Sequence, residues 1–186
     1  MKVELKPNSY LYPQPVLIIG SYDDNNVPDA MNAAWGGVSD YTEISMCLSK
    51  THKTVENILK RKGFTVAMGT RKTLVESDYF GIVSGHDVTN KIEKAKMHVK
   101  KSSKINAPVI EEYPLTLECE LVSYDEENEI MKGKIVGVIV DDSILTNGKI
   151  DVTKLEPISY DPSMHKYYLV KEAVGNAFKD GKELVK

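Results

Sequence analysis

From Leu115 to Val122, apolar and polar side chains alternate. Leu115, Leu117, Cys119 and Leu121 fall on one face, and Thr116, Glu118 and Glu120 on the other. A period of two with one wet face predicts a strand in an antiparallel sheet or barrel wall. The β-branched run Ile135-Val136-Gly137-Val138-Ile139-Val140 predicts a second strand over 134–140, buried on both faces. Gly137 in its middle marks a bend or bulge. The polar stretch Asp125-Glu126-Glu127-Asn128 lies between the two, so they form a hairpin. Another strand is expected from Val16 to Tyr22, closed by Asp23-Asp24-Asn25-Asn26, with shorter ones over 43–48 and 64–68.

Elsewhere the apolar period lengthens toward that of a helix. Over 54–62, Val55, Ile58 and Leu59 share a face, and Glu56 pairs with Lys60 at i, i+4. Over 73–83, Leu74, Val75, Tyr79, Ile82 and Val83 form a stripe. Over 88–100, Val88, Ile92, Ala95 and Val99 do the same, with Asp87 placed to cap the helix. Strands outnumber helices and do not alternate strictly with them, which argues against a doubly wound parallel sheet. The fold class is mainly β: a small antiparallel barrel with peripheral helices. No repeat or linker interrupts the chain and its prolines are scattered, so residues 1–186 read as a single domain.

Composition narrows the function classes. With 41% hydrophobic and 27% charged residues, the chain reads as an ordinary soluble globular protein. A net charge of −3 gives no reason to expect a nucleic-acid surface. The longest apolar runs fall well short of a membrane helix. The sequence from Met1 to Pro7 has no apolar signal region, and a cytoplasmic location is expected. Cys47 and Cys119 form neither a CxxC pair nor a zinc-spaced cluster with histidine. They read as two reduced core thiols.

Three segments carry candidate chemistry. Asn32-Ala33-Ala34-Trp35-Gly36-Gly37 holds the only tryptophan of the chain among small residues. Open backbone beside a large flat ring suits a flat heteroaromatic ligand with polar edges. A core tryptophan followed by a glycine turn is the competing reading. Ser49-Lys50-Thr51-His52-Lys53-Thr54 follows a predicted strand and opens a predicted helix, with Thr51 or Thr54 as its cap. Free amides, the dipole end, hydroxyls and two lysines would make an anion site there. The competing reading is a capped helix with solvated lysines. Ser84-Gly85-His86-Asp87, followed by Asn90-Lys91, places a flexible glycine before a lysine that could reach a ligand oxygen. A turn with a helix cap explains it equally well. The chain has no Walker loop, no G-x-G-x-x-G fingerprint and no G-x-S-x-G elbow. His52, His86, His98 and His165 show no metal spacing.

Read in order, these segments resemble the flavin reductase-like family of FMN-binding split barrels, and its flavoredoxin-type members above all. The resemblance runs through Tyr12-Pro13-Gln14-Pro15-Val16, then Pro28 to Gly37, then Ser49 to Thr54 with Glu56-Asn57-Ile58. It continues through Phe80-Gly81, Ser84-Gly85, Asn90-Lys91-Ile92, Ala107-Pro108 and Leu117-Glu118-Cys119. Gly148-Lys149-Ile150-Asp151 and Leu155-Glu156-Pro157-Ile158 complete it. It covers nearly the whole chain with compatible spacing. The resemblance implies an antiparallel split β-barrel with one FMN, held without a covalent bond in a cleft between two subunits of a homodimer. It implies that the backbone around Asn32, Ala33 and Ala34 meets the polar edge of the flavin ring, that Trp35 packs near it and that Met31 also contacts the cofactor. It places Ser49, Thr51, His52, Lys53 and Thr54 around the phosphate. Ser84, Gly85 and Lys91 would lie along the ribityl chain or ring. The chain departs from the family pattern at Asp29, where many relatives have asparagine, and at Asn90, where many have aspartate. It also lacks the arginine that some relatives carry in the phosphate segment.

Two functions follow from that resemblance. One is an NAD(P)H-dependent flavin reductase, with NADH or NADPH as electron donor and the chemistry on N5 of FMN, so that no side-chain acid or base is required. The other is an electron carrier that exchanges electrons with a redox protein partner. A flavin-free or haem-type ligand on the same barrel is a third reading. Neither nucleic acid nor membrane is expected as a partner.

Overall fold

The computed structural model describes residues 1–185, so Lys186, the last residue of the expected 1–186 unit, lies outside the described residues. Seven antiparallel strands build the main sheet. In chain order they are β1 (Leu17–Tyr22), β2 (Pro28–Ala33), β3 (Gly36–Asp40), β4 (Glu43–Cys47), β5 (Gly63–Met68), β6 (Leu115–Asp125) and β7 (Ile130–Val140). Their order across the sheet is β2-β1-β5-β6-β7-β4-β3. The two edge strands, β2 and β3, are consecutive in the chain and joined only by Ala34 and Trp35. Three Cα steps span at most about 11 Å, so the sheet must curl until its edges nearly meet. The result is a split barrel.

The interior holds Leu17, Ile19, Met31, Ile44, Met46, Phe64, Val66, Cys119 and Met131. Helix α1 (Lys53–Arg61) closes it by inserting Val55 and Ile58, and its Glu56 and Lys60 pair at 3.0 Å as their spacing predicts. Outside, Val16, Ile18, Ala30 and Ala67 meet Phe80 of α2 (Leu74–Ile82) and Ile92 of α3 (Lys91–Lys94). Alternate residues of β1 thus face two cores, and β1 is the strand buried on both sides.

The run over 134–140 is not the doubly buried strand that its composition predicts: Val138 is 51% exposed. Among the described residues no helix packs extensively on β7, so only its inner side is covered. The bulge at Gly137 does occur, as a register shift between Ile135 and Gly137. The hairpin is longer than predicted at both inner ends, and its turn is tied by Asp125, which accepts from the amides of Glu127 and Asn128.

Two helices depart from their predicted stripes. On α2 the buried residues are Ser77 and Phe80, while Val75 and Ile82 are more than 70% exposed. Polar demand sets that rotation: the Ser77 carbonyl accepts from Asn32 Nδ2 at 2.9 Å, and its hydroxyl lies 3.0 Å from that of Tyr113. The helix expected over 88–100 shrinks to Lys91–Lys94, preceded by Asn90 rather than Asp87. Lys96 ends it in the left-handed region at φ 56°, and Val99 enters a short strand, Val99–Lys101. A last hairpin, β8 (Ile158–Asp161) and β9 (Lys166–Leu169), packs beside α2 through the Tyr167 hydroxyl, which donates to Asp78.

Gly133 faces the ring of Phe64, and an added Cβ would meet Phe64 Cζ at 2.3 Å. Gly133→Ala should therefore destabilise the barrel by about 1–3 kcal/mol, read as a lower urea midpoint at unchanged slope.

Candidate functional site

β4 runs out at Cys47, and the turn Ser49–His52 feeds the chain into α1. Neither predicted hydroxyl caps this helix. His52 stands at the cap position and contributes no side-chain bond. The amides of Lys53 and Thr54 find no acceptor among the described residues. A helix start of this kind carries partial positive charge and aims its donors outward.

The hydroxyl of Thr54 is turned inward instead. It donates to Asp29 Oδ2 at 2.7 Å, and Lys91 Nζ lies 3.0 Å from Asp29 Oδ1. Lys91, only 2% exposed, also donates to the carbonyls of Ala30 at 2.6 Å and Val83 at 3.1 Å. A buried ammonium needs such partners to be tolerated. Gly85 belongs to the same cluster, because a Cβ there would fall 2.8 Å from the Asp29 carboxylate. Asp29 therefore ties together β2, α1, α3 and the loop after α2.

Above this cluster opens a cavity of about 340 Å³. Its walls bring together Met31, Asn32, Thr51, His52, Lys53, Thr54, Ser84, Gly85 and Lys91 from the sequence-predicted set. Phe80, Gly81, Ile82 and Val83 complete it; Phe80-Gly81 belongs to the family resemblance, but none of the four was assigned to the site, since their shared location depends on α2 packing on β2. Lys53 Nζ lies 3.1 Å from Glu56 Oε1, so a bound anion would share this lysine with Glu56.

Four predicted residues stand elsewhere. Ser49 donates to Glu129 Oε1 at 2.9 Å; the Lys50 amide and this hydroxyl hold the Glu129 carboxyl below the usual carboxylate range. Ser49 thus braces the turn and does not line the cavity. Ala33 packs against the barrel interior. Ala34 lines a second cavity that shares Asn32, Gly81 and Ile82 with the first. Trp35, between the two sheet edges, is 57% exposed, which removes the core-tryptophan reading.

A buried aspartate on an inward-facing strand position is itself a signal. Asp29 shares the phase of Met31 and Ala33, so the alternation of β2 could have announced that it needs a cationic partner.

The model of the flavin reductase like domain matches residues 9–156 of this sequence. The chain belongs to that family. Among solved structures, the flavoredoxin of Desulfovibrio vulgaris (Miyazaki F) is similar at 31% identity and a TM-score of 0.93, over 98% of this chain and 100% of its own. Flavoredoxin from Methanosarcina acetivorans is 27% identical with a TM-score of 0.89, over 99% of each chain. An FMN-binding domain of a flavin reductases-like enzyme from Shewanella baltica OS155 shares the fold at 18% identity and a TM-score of 0.78, over 88% of this chain and 89% of its own. No match is found among curated protein sequences. This flavin reductase-like chain thus has the split barrel that its sequence implies. Among its described residues no helix is long and apolar enough to cross a membrane.

Removing one partner of the buried pair leaves a charge without compensation. Lys91→Met should cost about 3–5 kcal/mol of stability, measured by urea unfolding. Asp29→Leu combined with Lys91→Met should cost much less than the two single changes added together.

Proposed function

We propose that the first cavity holds FMN without a covalent bond and that the chain is an NAD(P)H-dependent flavin oxidoreductase. The uncapped start of α1, opening onto a cavity beside His52 and Lys53, carries this reading. It fits the phosphate end of FMN: two unspent amides, a dipole end and a nearby ammonium are the donors that a phosphate dianion requires. The one acid beneath the cavity, Asp29, is already matched by Lys91 and Thr54, so it does not repel an anion. Because Thr54 donates its hydroxyl proton to Asp29, it would serve the phosphate through its amide. Ser84 and Gly85 would lie along the ribityl chain. The backbone of Asn32 to Ala34, with Trp35 beside it, would border the ring.

When bound, FMN supplies the hydride chemistry. The protein would supply orientation and exclusion of water, so no side-chain acid or base is needed for that step. A homodimer suits the exposed apolar side chains near the two ends of the described chain: Val3 and Leu5, and Val174, Phe178 and Leu184. The free thiols Cys47 and Cys119 suit a cytoplasmic setting; burial pushes the Cys119 thiol up to about 12, which keeps it unreactive.

A second reading, an FMN-bearing electron carrier with a redox protein partner, is favoured by the full-length likeness to two flavoredoxins. Rapid mixing separates the two. NADH or NADPH should bleach the flavin absorbance of the FMN-loaded protein within the mixing experiment. No bleaching with either would discard the reductase and leave the carrier. In a parallel titration, Lys53→Ala should weaken FMN by about 10–100-fold with little change in unfolding midpoint.

A further inference from the structure

The turn that delivers the chain into α1 is held by the tip of the β6–β7 hairpin. The Glu129 carbonyl accepts from the Leu48 amide at 2.9 Å, and the Tyr124 hydroxyl donates to the Leu48 carbonyl at 2.8 Å. Glu129 Oε1 accepts from both the Ser49 hydroxyl and the Lys50 amide, each at 2.9 Å. With its proton spent on Glu129, Ser49 Oγ becomes the acceptor for Thr51 Oγ1, 3.1 Å away. One carboxylate oxygen thus orders residues 49–51, just ahead of the unspent amides of Lys53 and Thr54.

Local preference does not explain a glutamate at this position. Glu129 ends the hairpin loop and sits in the left-handed region at φ 56°. Glycine or asparagine is the ordinary occupant there, because a Cβ crowds the backbone. A side chain held against that preference points to a task for its carboxylate. Attracting an anion is not that task, since a carboxylate beside a phosphate site repels the ligand. The Lys50 amide and the Ser49 hydroxyl hold Glu129 below the usual carboxylate range, and the Lys50 ammonium adds to this. That ammonium also offsets part of the repulsion.

The body of α1 is seated independently of this latch. Thr54 is tied to Asp29, Asn57 Nδ2 donates to Ser21 Oγ at 3.1 Å, and Arg61 Nε donates to the Asp23 carbonyl at 3.0 Å. Losing the Glu129 side chain therefore loosens the turn and leaves the helix in place.

We propose that Glu129 is a positioning residue for anion binding. By fixing residues 49–51 it aims the first amides of α1 and the Lys53 ammonium at one point, and so sets the preference for a phosphate-bearing ligand. It does not line the cavity and acts only through the turn. The ligand's identity rests on the FMN reading of the first cavity; the positioning holds for any phosphate.

Two readouts on the full chain test this: fluorescence titration with FMN and with riboflavin, and amide NMR shifts of Lys53 and Thr54 titrated with inorganic phosphate. Glu129→Gly keeps the left-handed turn and loses only the two side-chain bonds. FMN and inorganic phosphate should then bind about 3–10-fold more weakly, while riboflavin changes by less than about twofold. Glu129→Gln should retain at least wild-type affinity, because its amide carbonyl still accepts from Ser49 and Lys50 and the negative charge is gone. Ser49→Ala alone, which leaves the hairpin untouched, should weaken FMN by about 2–3-fold. Added to Glu129→Gly it should cost nothing further, because Ser49 acts through Glu129. Wild-type or tighter phosphate binding in Glu129→Gly would overturn the proposal, as would an equal loss of riboflavin. A further loss on adding Ser49→Ala also contradicts it, since Ser49 would then meet the phosphate directly. If neither flavin binds the wild type, yet phosphate moves those amides and Glu129→Gly weakens it, the flavin reading falls and the positioning role stands. If FMN binds the wild type and Glu129→Gly equally, the positioning role alone falls.

Discussion

A lysine and an aspartate buried within 3.0 Å of one another organise the face of this barrel where its chemistry would lie. Each is costly to desolvate alone, and together they are tolerable only because every remaining donor is used. Lys91 spends its other protons on the carbonyls of Ala30 and Val83, and Asp29 takes the hydroxyl proton of Thr54. These bonds reach β2, the exit of α2, α3 and the first turn of α1. The polar pair therefore ties together four elements, three of which also meet in one apolar cluster. It also leaves the helix start facing outward with its amides unspent.

The second constraint is topological. A two-residue link between the edge strands forces the sheet to curl almost shut. The link cannot also be core, which is why Trp35 is exposed. The small residues around it leave backbone accessible between an anion-friendly cavity and an aromatic, cation-free one. Asn32 stands at the boundary, its amide pinned to Ser77. One strand end thus borders both cavities.

Local pattern carried much of this into view. The β6–β7 hairpin, the bulge at Gly137 and α1 with its Glu56–Lys60 pair were legible from alternation and period, and nine candidate residues that the family resemblance brought together line one cavity. The misreadings come from contacts between distant parts of the chain. Ser77 turns α2 away from its apolar stripe. Val138 is exposed although its run is β-branched, since burial depends on whether a helix covers that stretch of sheet. The second cavity was invisible because its walls come from residues 32–34, 78–82 and 160–167, which no spacing rule connects.

The central claim is that the start of α1 holds the phosphate of a flavin mononucleotide. Comparing FMN with riboflavin tests it most directly, because the two differ only in that phosphate. Fluorescence titration should show FMN bound at least about 100-fold more tightly, the effect of two or more charge-assisted hydrogen bonds. Equal affinities would contradict the account and move the flavin, if bound at all, away from Lys53.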